Sequence, residues 1–297
     1  MQPPVSVIIP VLNVASTIEA VLQALEKQTY PPDRVEMIVV DNGSVDQTRK
    51  IIERYPVTLL EETNVKNPYA ARNKGLKAAD GKILALTDGN KIPAVDWLEK
   101  GVRCLMKSKY DLVGGRVEFQ FSEHRSLGEI FDSITFLDNE KYVNEEQASL
   151  GGNLFFHRKV LDTMGDFPVD IRTGMDIYWS RKAVDAGFKI GYCPESTVYS
   201  VARTWGSTLR KSYRVGMGHP LTMQAAGKNR PAILYHILRT FLPPSPLNLY
   251  RRIKKRGENR TLFYFPVLWL MDYGKKLAMA AGRLAGLKNL KPGGNDF

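Results

Sequence analysis

Residues 69–93 of the chain read YAARNKGLKAADGKILALTDGNKIP. The centre of this stretch, 83–86, is a short apolar run between Gly81 and Asp88. An apolar run of this length between turn residues is typical of a strand that is buried on both faces. The preceding residues, 70–79, place Ala and Leu at helical spacing. The stretch therefore predicts a helix, a tight turn, a buried strand and an acidic loop in succession.

The loop after this strand carries Asp88, Gly89 and Asn90. In open α/β sheets the ligand binds beyond the carboxyl ends of the strands, which is where this loop is expected. A carboxylate at that edge can hold a ribose hydroxyl or a metal ion, and a glycine lets the backbone come close to a ligand. The alternative is that Asp88 and Gly89 form only a turn.

The same alternation occurs earlier in the chain. Strand-like runs lie at 5–10, 35–40 and 57–60, and helical patterns lie between them at 17–27 and 46–54. Strands that alternate with helices at this spacing predict an α/β fold with a parallel sheet.

Polar residues follow three of the predicted strands, at Asn13, Asp41 and Asp88. The carboxyl ends of parallel strands meet at one edge of a sheet, so we expect these side chains to lie near one another. Such an arrangement suits a nucleotide, although a fold does not determine a function by itself.

The 297-residue chain has room for one large domain or two modest ones. Its two cysteines, Cys104 and Cys193, indicate neither a disulfide framework nor a zinc cluster and favour a reducing compartment. No signal-peptide pattern opens the sequence. We therefore expect a cytoplasmic protein.

The net charge of +11 is concentrated in the last third of the chain. Residues 201–297 contain 18 Lys and Arg against 3 Asp and Glu, whereas 1–200 carry a balance of −4. This asymmetry indicates an anionic partner, such as membrane headgroups, a lipid phosphate or nucleic acid. No nucleic-acid reading motif accompanies the charge, so we expect no nucleic-acid partner.

The basic region leads into a short aromatic stretch. Five basic residues lie within 251–256, and residues 261–271 read TLFYFPVLWLM. This run is shorter than the roughly 20 residues that span a bilayer, but basic residues beside a short aromatic stretch are typical of a helix lying in the interface of an anionic membrane. We expect 249–282 to contact the inner face of such a membrane. The alternative is that this segment packs on the catalytic domain or on a partner subunit.

Several segments of the chain resemble the family 2 glycosyltransferases of the GT-A fold. They are VSVIIPVLN (5–13), QTYP (28–31), VVDNGSVDQT (39–48), AARNKGLKAADGKILALTDGN (70–90), GGNLFFHRKVLDTMGDFP (151–168) and TGMDIYWSRKAVDAGFKIGYCPESTV (173–198). The resemblance covers roughly 5–215. It implies a Rossmann-like, mixed but mainly parallel sheet flanked by helices, with 1–215 as the catalytic domain and 216–297 as a helical, basic extension.

The resemblance also implies an activity. Such enzymes move a sugar from a nucleotide-sugar to an acceptor hydroxyl with inversion, and we expect a UDP-sugar donor and a glycan or lipid-linked acceptor. One alternative is a catalytically weak or dead nucleotide-sugar-binding protein. Another is a nucleotidyltransferase, although the segment VIIPVLN lacks the Gly-rich, basic signature that such an enzyme needs.

By this resemblance, one set of residues would line the donor pocket. The set consists of Pro10, Asn13, Asp41, Arg72, Asn73, Asp88, Gly89 and Asn90. Asp41 would accept a hydrogen bond from a uracil-type imide, and Asp88 matches the first acid of the family's DxD motif. Gly151, Gly152 and Asn153 would flank the sugar and the acceptor.

Asp176, in the segment TGMDIYW, matches the family's catalytic base. Sugar transfer passes through an oxocarbenium-like state. It needs a base for the proton of the acceptor hydroxyl and positive charge for the departing diphosphate. The alternative is that Asp176 caps the helix that begins near Ile177.

Two positions depart from the family pattern, and both tend to contact the metal in the family. The last acid of DxD is here Asn90, and the usual histidine after the last strand is Ser200. Neutral oxygens are weaker ligands for a hard divalent cation than carboxylates are. Either Asp88 and the diphosphate hold a weak Mg²⁺ or Mn²⁺, or cationic side chains replace the metal. The candidate cations are Lys91, Arg203, Arg210 and Lys211.

Overall fold

The computed structural model of the protein describes residues 2–107, 109–171, 173–225, 227–257 and 259–290. Within them the strands form an eight-stranded sheet. The strands are β1 (Val5–Val11), β2 (Val35–Asp41), β3 (Thr58–Glu61), β4 (Ile83–Thr87), β5 (Lys91–Pro93), β6 (Leu112–Gln120), β7 (Asn153–His157) and β8 (Ile190–Val201). Their order across the sheet is β3-β2-β1-β4-β7-β6-β8-β5.

Helices connect these strands and follow them. They are α1 (Ile18–Glu26), α2 (Thr48–Ile52), α3 (Pro68–Ala78), α4 (Trp97–Lys107), α5 (Leu127–Thr135), α6 (Asn139–Glu146), α7 (Arg158–Met164), α8 (Met175–Asp185), α9 (Trp205–Ala225), α10 (Arg230–Thr240), α11 (Pro246–Arg256) and α12 (Phe265–Gly286). The helices predicted over 17–27 and 46–54 are both present. The second is limited to the five residues of α2.

Strands β1 and β4, the third and fourth in the order across the sheet, form an interior pair that is parallel. Every residue of β1 and of β4 is buried. Strands of a parallel sheet are covered by helices on both faces, so they read as continuous apolar runs rather than alternating ones. The buried strand predicted at 83–86 is therefore confirmed.

The sheet becomes mixed beyond β4. Strand β7 runs antiparallel to both β4 and β6, while β6 and β8 are parallel and β5 is antiparallel to β8. On the other side, β3, β2, β1 and β4 are all parallel to their neighbours. The predicted α/β class with a mixed, mainly parallel sheet is confirmed.

Internal contacts divide the chain into two compact units. The first consists of Met1–Gln120 and Leu137–Val201, and the second of Phe121–Phe136 and Ala202–Phe297. The first unit holds the whole sheet, and the second holds α5 and α9 to α12. The prediction of a catalytic domain at 1–215 and a helical extension at 216–297 stays a prediction, and residues 291–297 lie outside the described part of the chain.

The second unit has a core of its own. Phe131 and Ile134 of α5 pack with Leu249 and Ile253 of α11 and with Leu268 of α12. The C-terminal helices are thus integral to this unit. Among the described residues, no helix combines the length and the apolar character that crossing a bilayer requires.

Candidate active site

The loops after β1 and β2 are joined by hydrogen bonds. The backbone N–H of Asn13 donates to Ser44 Oγ at 2.9 Å, and Ser44 Oγ donates to Asp41 Oδ1 at 2.6 Å. The backbone N–H of Val45 donates to Asn13 Oδ1 at 2.9 Å. Asn13 has a positive φ of 52°, a conformation that asparagine tolerates better than most residues. Ser44 thus links Asn13 and Asp41, two of the three polar residues predicted to lie near one another at this edge of the sheet.

Asp41 lies at the end of β2 and is buried. Its Oδ1 atom accepts from both the hydroxyl and the backbone N–H of Ser44. Pro10 lies opposite Val40 in the β1–β2 register, one position from the Val11–Asp41 pair, and it is also buried. Pro10, Asn13 and Asp41 therefore form one contiguous group.

The loop after β4 is tied to the same edge. Thr17 Oγ1 donates to the carbonyl oxygen of Gly89 at 2.9 Å. A Cβ on Gly89 would lie 2.7 Å from Cγ1 of Val11, so only glycine lets the two loops pass this closely. The sheet brings the ends of β1, β2 and β4 together, as the sequence predicts.

Arg72 of α3 forms a buried ion pair with Asp88. Its Nη2 lies 2.5 Å from Asp88 Oδ1, and the arginine is only 4% exposed. Burial by itself would lower the pKa of Arg72, but the carboxylates of Asp88 and Asp176 outweigh burial and raise the pKa. The guanidinium is thus a fixed positive charge between two acids.

Asp176 is held by two donors. Tyr69 Oη donates to Asp176 Oδ1 at 3.0 Å, and the backbone N–H of Gly151 donates to Oδ2 at 2.7 Å. Burial and the nearby Asp176 charge raise the pKa of Tyr69, so its hydroxyl stays protonated and can donate. The N-cap of α8 is Gly174, and Asp176 lies inside the first turn. The alternative interpretation of Asp176 as a helix cap is wrong.

The backbone at Gly151 and Gly152 passes over these charged groups. A Cβ on Gly151 would lie 3.0 Å from Arg72 Cζ and 3.1 Å from Asp176 Cβ. A Cβ on Gly152 would lie 2.9 Å from Asp88 Oδ2. Asp176, Arg72 and Asp88 therefore converge on one short segment, and a side chain at Gly151 or Gly152 would crowd these groups.

Lys91 connects the two departures from the family pattern. Its Nζ donates to Ser200 Oγ at 2.8 Å and lies 3.3 Å from Asn90 Oδ1. Lys91 and Ser200 are partners in the β5–β8 register, so the sheet itself holds them together. The fold brings Asn90 and Ser200 to one point, and the lysine ammonium lies between them.

The oxygens around Asp88 have partners within the protein. Asp88 Oδ1 is already paired with Arg72, and the Asn90 and Ser200 oxygens face an ammonium. That Asp88 and the diphosphate of the donor together hold a divalent ion stays a prediction. Hard divalent ions need several oxygen ligands and negative charge to lose their waters.

Two predicted site residues have their side chains engaged in the protein itself. The Asn73 amide both donates to and accepts from the backbone of Phe167. The Asn153 amide donates to the carbonyls of Arg116 and Ser196 and accepts from Trp97 Nε1. Both amides fix the backbone around the site, and the predicted role of each toward a substrate stays a prediction.

The other predicted phosphate ligands lie in the second unit. Arg203 Nη1 lies 3.0 Å from Oδ1 of the buried Asp132, and the Lys211 ammonium lies 5.2 Å from the centre of the Phe136 ring. Arg210 is exposed. Arg203 is therefore committed to a structural ion pair.

Tyr69 and Ser44 are site residues that the sequence analysis missed. Tyr69 precedes Arg72 by three residues in α3, so their side chains share one face of the helix, and the arginine Cζ lies 5.3 Å from the tyrosine ring centre. This three-residue spacing could have indicated that Tyr69 lies beside Arg72 in the site. Ser44 had only a weak signal, since a serine after Asp-Asn-Gly reads as an ordinary turn residue.

Comparison with known proteins identifies the family. The model of glycosyl transferase family 2 matches residues 6–165. The chain belongs to this family. Glycosyltransferase AglE of Haloferax volcanii is 34% identical over 291 residues, which cover 95% of this chain and 96% of that protein. The poly(ribitol-phosphate) β-N-acetylglucosaminyltransferase TarS of Staphylococcus aureus is 38% identical over 227 residues, which cover 67% of this chain and 39% of TarS.

Solved structures share the family fold. The mannosyltransferase PcManGT of Pyrobaculum calidifontis, in complex with GDP-Man and Mn²⁺, matches 98% of this chain and 89% of its own, with a TM-score of 0.64 and 22% identity. TarS 1-349 in complex with UDP-GlcNAc matches 96% of this chain and 92% of its own, with a TM-score of 0.56 and 17% identity. The predicted family, the GT-A fold and the glycosyltransferase class of enzyme are confirmed.

Proposed function

We propose that this glycosyltransferase inverts the anomeric centre as it moves a sugar from a UDP-sugar to a hydroxyl of a glycan or lipid-linked acceptor. One observation carries the proposal: Asp176 lies in a single cluster with the Arg72–Asp88 pair, under the backbone of Gly151 and Gly152. The proposed base and two of the proposed donor-binding residues thus lie close together within the first unit.

The geometry supports a single-displacement reaction. Asp176 takes the proton of the acceptor hydroxyl while that oxygen attacks the anomeric carbon from the side opposite the diphosphate. Tyr69 and the N–H of Gly151 each hold one carboxylate oxygen, which fixes the orientation of the base. The bond to the diphosphate breaks, and its electron pair stays on the phosphate oxygen. One displacement at one carboxylate gives inversion.

The choice of donor and acceptor rests on the relatives. TarS has been solved with UDP-GlcNAc, and its name describes transfer to poly(ribitol-phosphate). A further relative, from Escherichia coli, is named as a UDP-Glc:α-D-GlcNAc-diphosphoundecaprenol β-1,3-glucosyltransferase, with 33% identity over 38% of this chain. UDP-sugars and anionic, polymeric or lipid-linked acceptors are therefore the first to test.

The Asp41→Ala variant is expected to bind UDP about 5- to 150-fold more weakly than wild type. Removing the Asp41 carboxylate leaves the N–H of the uracil ring without its hydrogen-bond acceptor, which costs about 1–3 kcal/mol of binding free energy. Isothermal titration calorimetry with UDP, and with GDP in parallel, measures this. Ser44→Ala is the matched control, because it removes one donor to Asp41 but keeps the carboxylate. Equal UDP affinity in Asp41→Ala and wild type would mean that the uracil ring binds elsewhere.

We also propose that the second unit contacts an anionic membrane surface through residues 249–282. Its surface carries large apolar side chains beside exposed basic ones. Phe263 is 85% exposed, and the exposed basic residues of α11 include Arg251, Lys254 and Lys255. Leu234, Tyr235 and Leu238 of α10 are also exposed, as are Phe241 and Leu242, which follow it. Apolar and basic surface together fit an interfacial helix rather than a solvated one.

Replacing Arg251, Lys254 and Lys255 together with Gln is expected to weaken binding to anionic vesicles about 100-fold at low salt. Each basic residue near such a surface contributes about 1 kcal/mol. Co-sedimentation with phosphatidylserine vesicles measures the effect. The control replaces Lys27, Lys50 and Lys107, exposed lysines of the first unit, with Gln. Equal loss in both triple variants would mean that overall charge, and not this surface, drives binding.

A further inference from the structure

Two cysteines that are far apart in the sequence meet in the first unit. Cys104 lies in α4 and Cys193 lies in β8, and the packing of this helix on this strand brings them together. Their two sulfur atoms and a carboxylate oxygen of Glu195 all lie within 4.8 Å of one another. None of these three residues belongs to the proposed donor site.

We propose that Cys104, Cys193 and Glu195 form a binding site for a thiophilic divalent cation such as Zn²⁺. Two thiolates favour a soft or borderline ion over Mg²⁺ or Ca²⁺, which prefer oxygen ligands. Three protein ligands leave the fourth tetrahedral position to a water molecule. The ion joins α4 to β8, because one ligand belongs to the helix and the other two belong to the strand.

The distances in this cluster match those of a tetrahedral zinc site. Zn²⁺ lies about 2.3 Å from a thiolate sulfur and about 2.1 Å from a carboxylate oxygen, so a tetrahedral angle separates the sulfur and the oxygen by about 3.6 Å. The Cys193 sulfur lies 3.7 Å from Oε2 of Glu195. Two sulfurs in such a site are about 3.8 Å apart, which is within the span of this cluster. The three side chains therefore already stand at the separation of metal ligands.

The carboxylate of Glu195 is not held by an ion pair among the described residues. Its hydrogen-bond partner there is the Cys193 thiol. Arg103, which precedes Cys104 in the chain, pairs instead with Glu99 of the same helix at 3.8 Å. The carboxylate is therefore directed at the two sulfurs, and it supplies the negative charge that a divalent cation needs.

The two thiols differ in their surroundings. Cys193 is fully buried in the core of the first unit, Cys104 is half-buried, and Glu195 is exposed. A buried cysteine by itself is an ordinary small core residue, but this one has a second thiol and a carboxylate at its sulfur. The hydrogen bond between the thiols lowers the pKa of Cys104, which favours the thiolate that binds metal. The exposed carboxylate gives an ion a path from the surface to the buried sulfur.

The test uses Cd²⁺ as the probe, because a thiolate bound to Cd²⁺ gives an ultraviolet charge-transfer absorption that histidine and carboxylate ligands do not give. The full chain, without nucleotide and with a phosphine reductant, is expected to bind one Cd²⁺ with this absorption. A large excess of Mg²⁺ should leave the absorption unchanged. Calorimetry with Zn²⁺ measures the affinity for the second ion of the same class.

Variants of the ligands separate their contributions. Cys104→Ala is expected to lose at least half of the absorption and to bind Cd²⁺ at least about 100-fold more weakly, whereas Glu195→Gln should keep the absorption and bind at least about 10-fold more weakly. Losing a group that only orients a metal ligand costs about 10–100-fold, so losing a direct ligand should cost no less. Glu118→Gln, at an exposed acid of β6, is the control and should match wild type.

Any of three results would overturn the proposal. The first is wild type that shows no thiolate absorption with Cd²⁺. The second is Cys104→Ala with the absorption and the Cd²⁺ affinity of wild type, which would place the ion elsewhere. The third is Glu195→Gln with unchanged affinity, and this result is independent of misfolding because the replaced side chain is exposed.

Discussion

The Asp176→Asn variant is expected to lose at least about 100-fold in turnover while it binds UDP as tightly as wild type. The amide keeps the size of the carboxylate but cannot take the proton of the acceptor, and general-base catalysis contributes about 10²–10⁴-fold. The donor is not held by this side chain in the proposed arrangement. Release of UDP from a panel of UDP-sugars, measured beside UDP affinity, separates the two effects.

A matched control is available in the partners of Asp176. Tyr69→Phe removes one of the two donors that orient the carboxylate but leaves the base itself. Its loss of turnover should be smaller than that of Asp176→Asn. If Asp176→Asn turned over near the wild-type rate with a productive acceptor, Asp176 would be reduced to a residue that positions Gly151.

The Arg72→Met variant is expected to be destabilised by about 3 kcal/mol and to lose UDP binding. Removing one partner of a buried ion pair costs about 3–5 kcal/mol, because the other charge is left uncompensated, and the low end applies since the Asp88 side chain is 33% exposed. Two acids, Asp88 and Asp176, would lose their shared cation. Urea unfolding followed by circular dichroism measures the stability.

Arg103→Met provides the comparison for this experiment. Arg103 pairs with Glu99 on the surface of α4 at 3.8 Å, and both side chains are well exposed. Exposed pairs contribute about 0–1 kcal/mol, so this variant should stay close to wild type. A similar loss in both variants would show that the Arg72–Asp88 pair is no more important than a surface pair.

The edge of the sheet could be predicted from the sequence because its signals are local. Short apolar runs identify the strands, and the polar residues that follow them are read directly from the chain. Parallel strands then require Asn13, Asp41 and Asp88 to approach one another, and the corresponding loops are joined by hydrogen bonds. The class of fold follows from the same alternation.

The antiparallel half of the sheet could not be predicted in this way. Strand β7 enters between β4 and β6, and its partners lie about 40 to 70 residues away in the chain. Asn153 illustrates the difficulty. Its amide is satisfied by Trp97, Arg116 and Ser196, three residues that no sequence spacing connects. The sequence shows the motif that contains Asn153, but it does not show which groups the Asn153 amide binds.

The surroundings of Lys91 could not be predicted either, because they also depend on pairing between strands that are distant in the sequence. The sequence analysis identifies four basic residues that could contact a phosphate, and the sequence does not distinguish between them. The register of β5 against β8 places Lys91 beside Ser200, while Arg203 is paired with Asp132 in the second unit. Strand register and ion pairing depend on tertiary structure, so the surroundings of each lysine and arginine could not be read from the sequence, and the phosphate role of each stays a prediction.

The most direct measurement follows the anomer released when the enzyme hydrolyses UDP-GlcNAc, an α-linked donor, in the absence of an acceptor. Proton NMR distinguishes the first-formed anomer of the free sugar before mutarotation. The account predicts that the β-anomer appears first with wild type, because water takes the place of the acceptor at Asp176, and that Asp176→Asn forms it at least about 100-fold more slowly. Release of the α-anomer first, or equal rates in the two proteins, would contradict it.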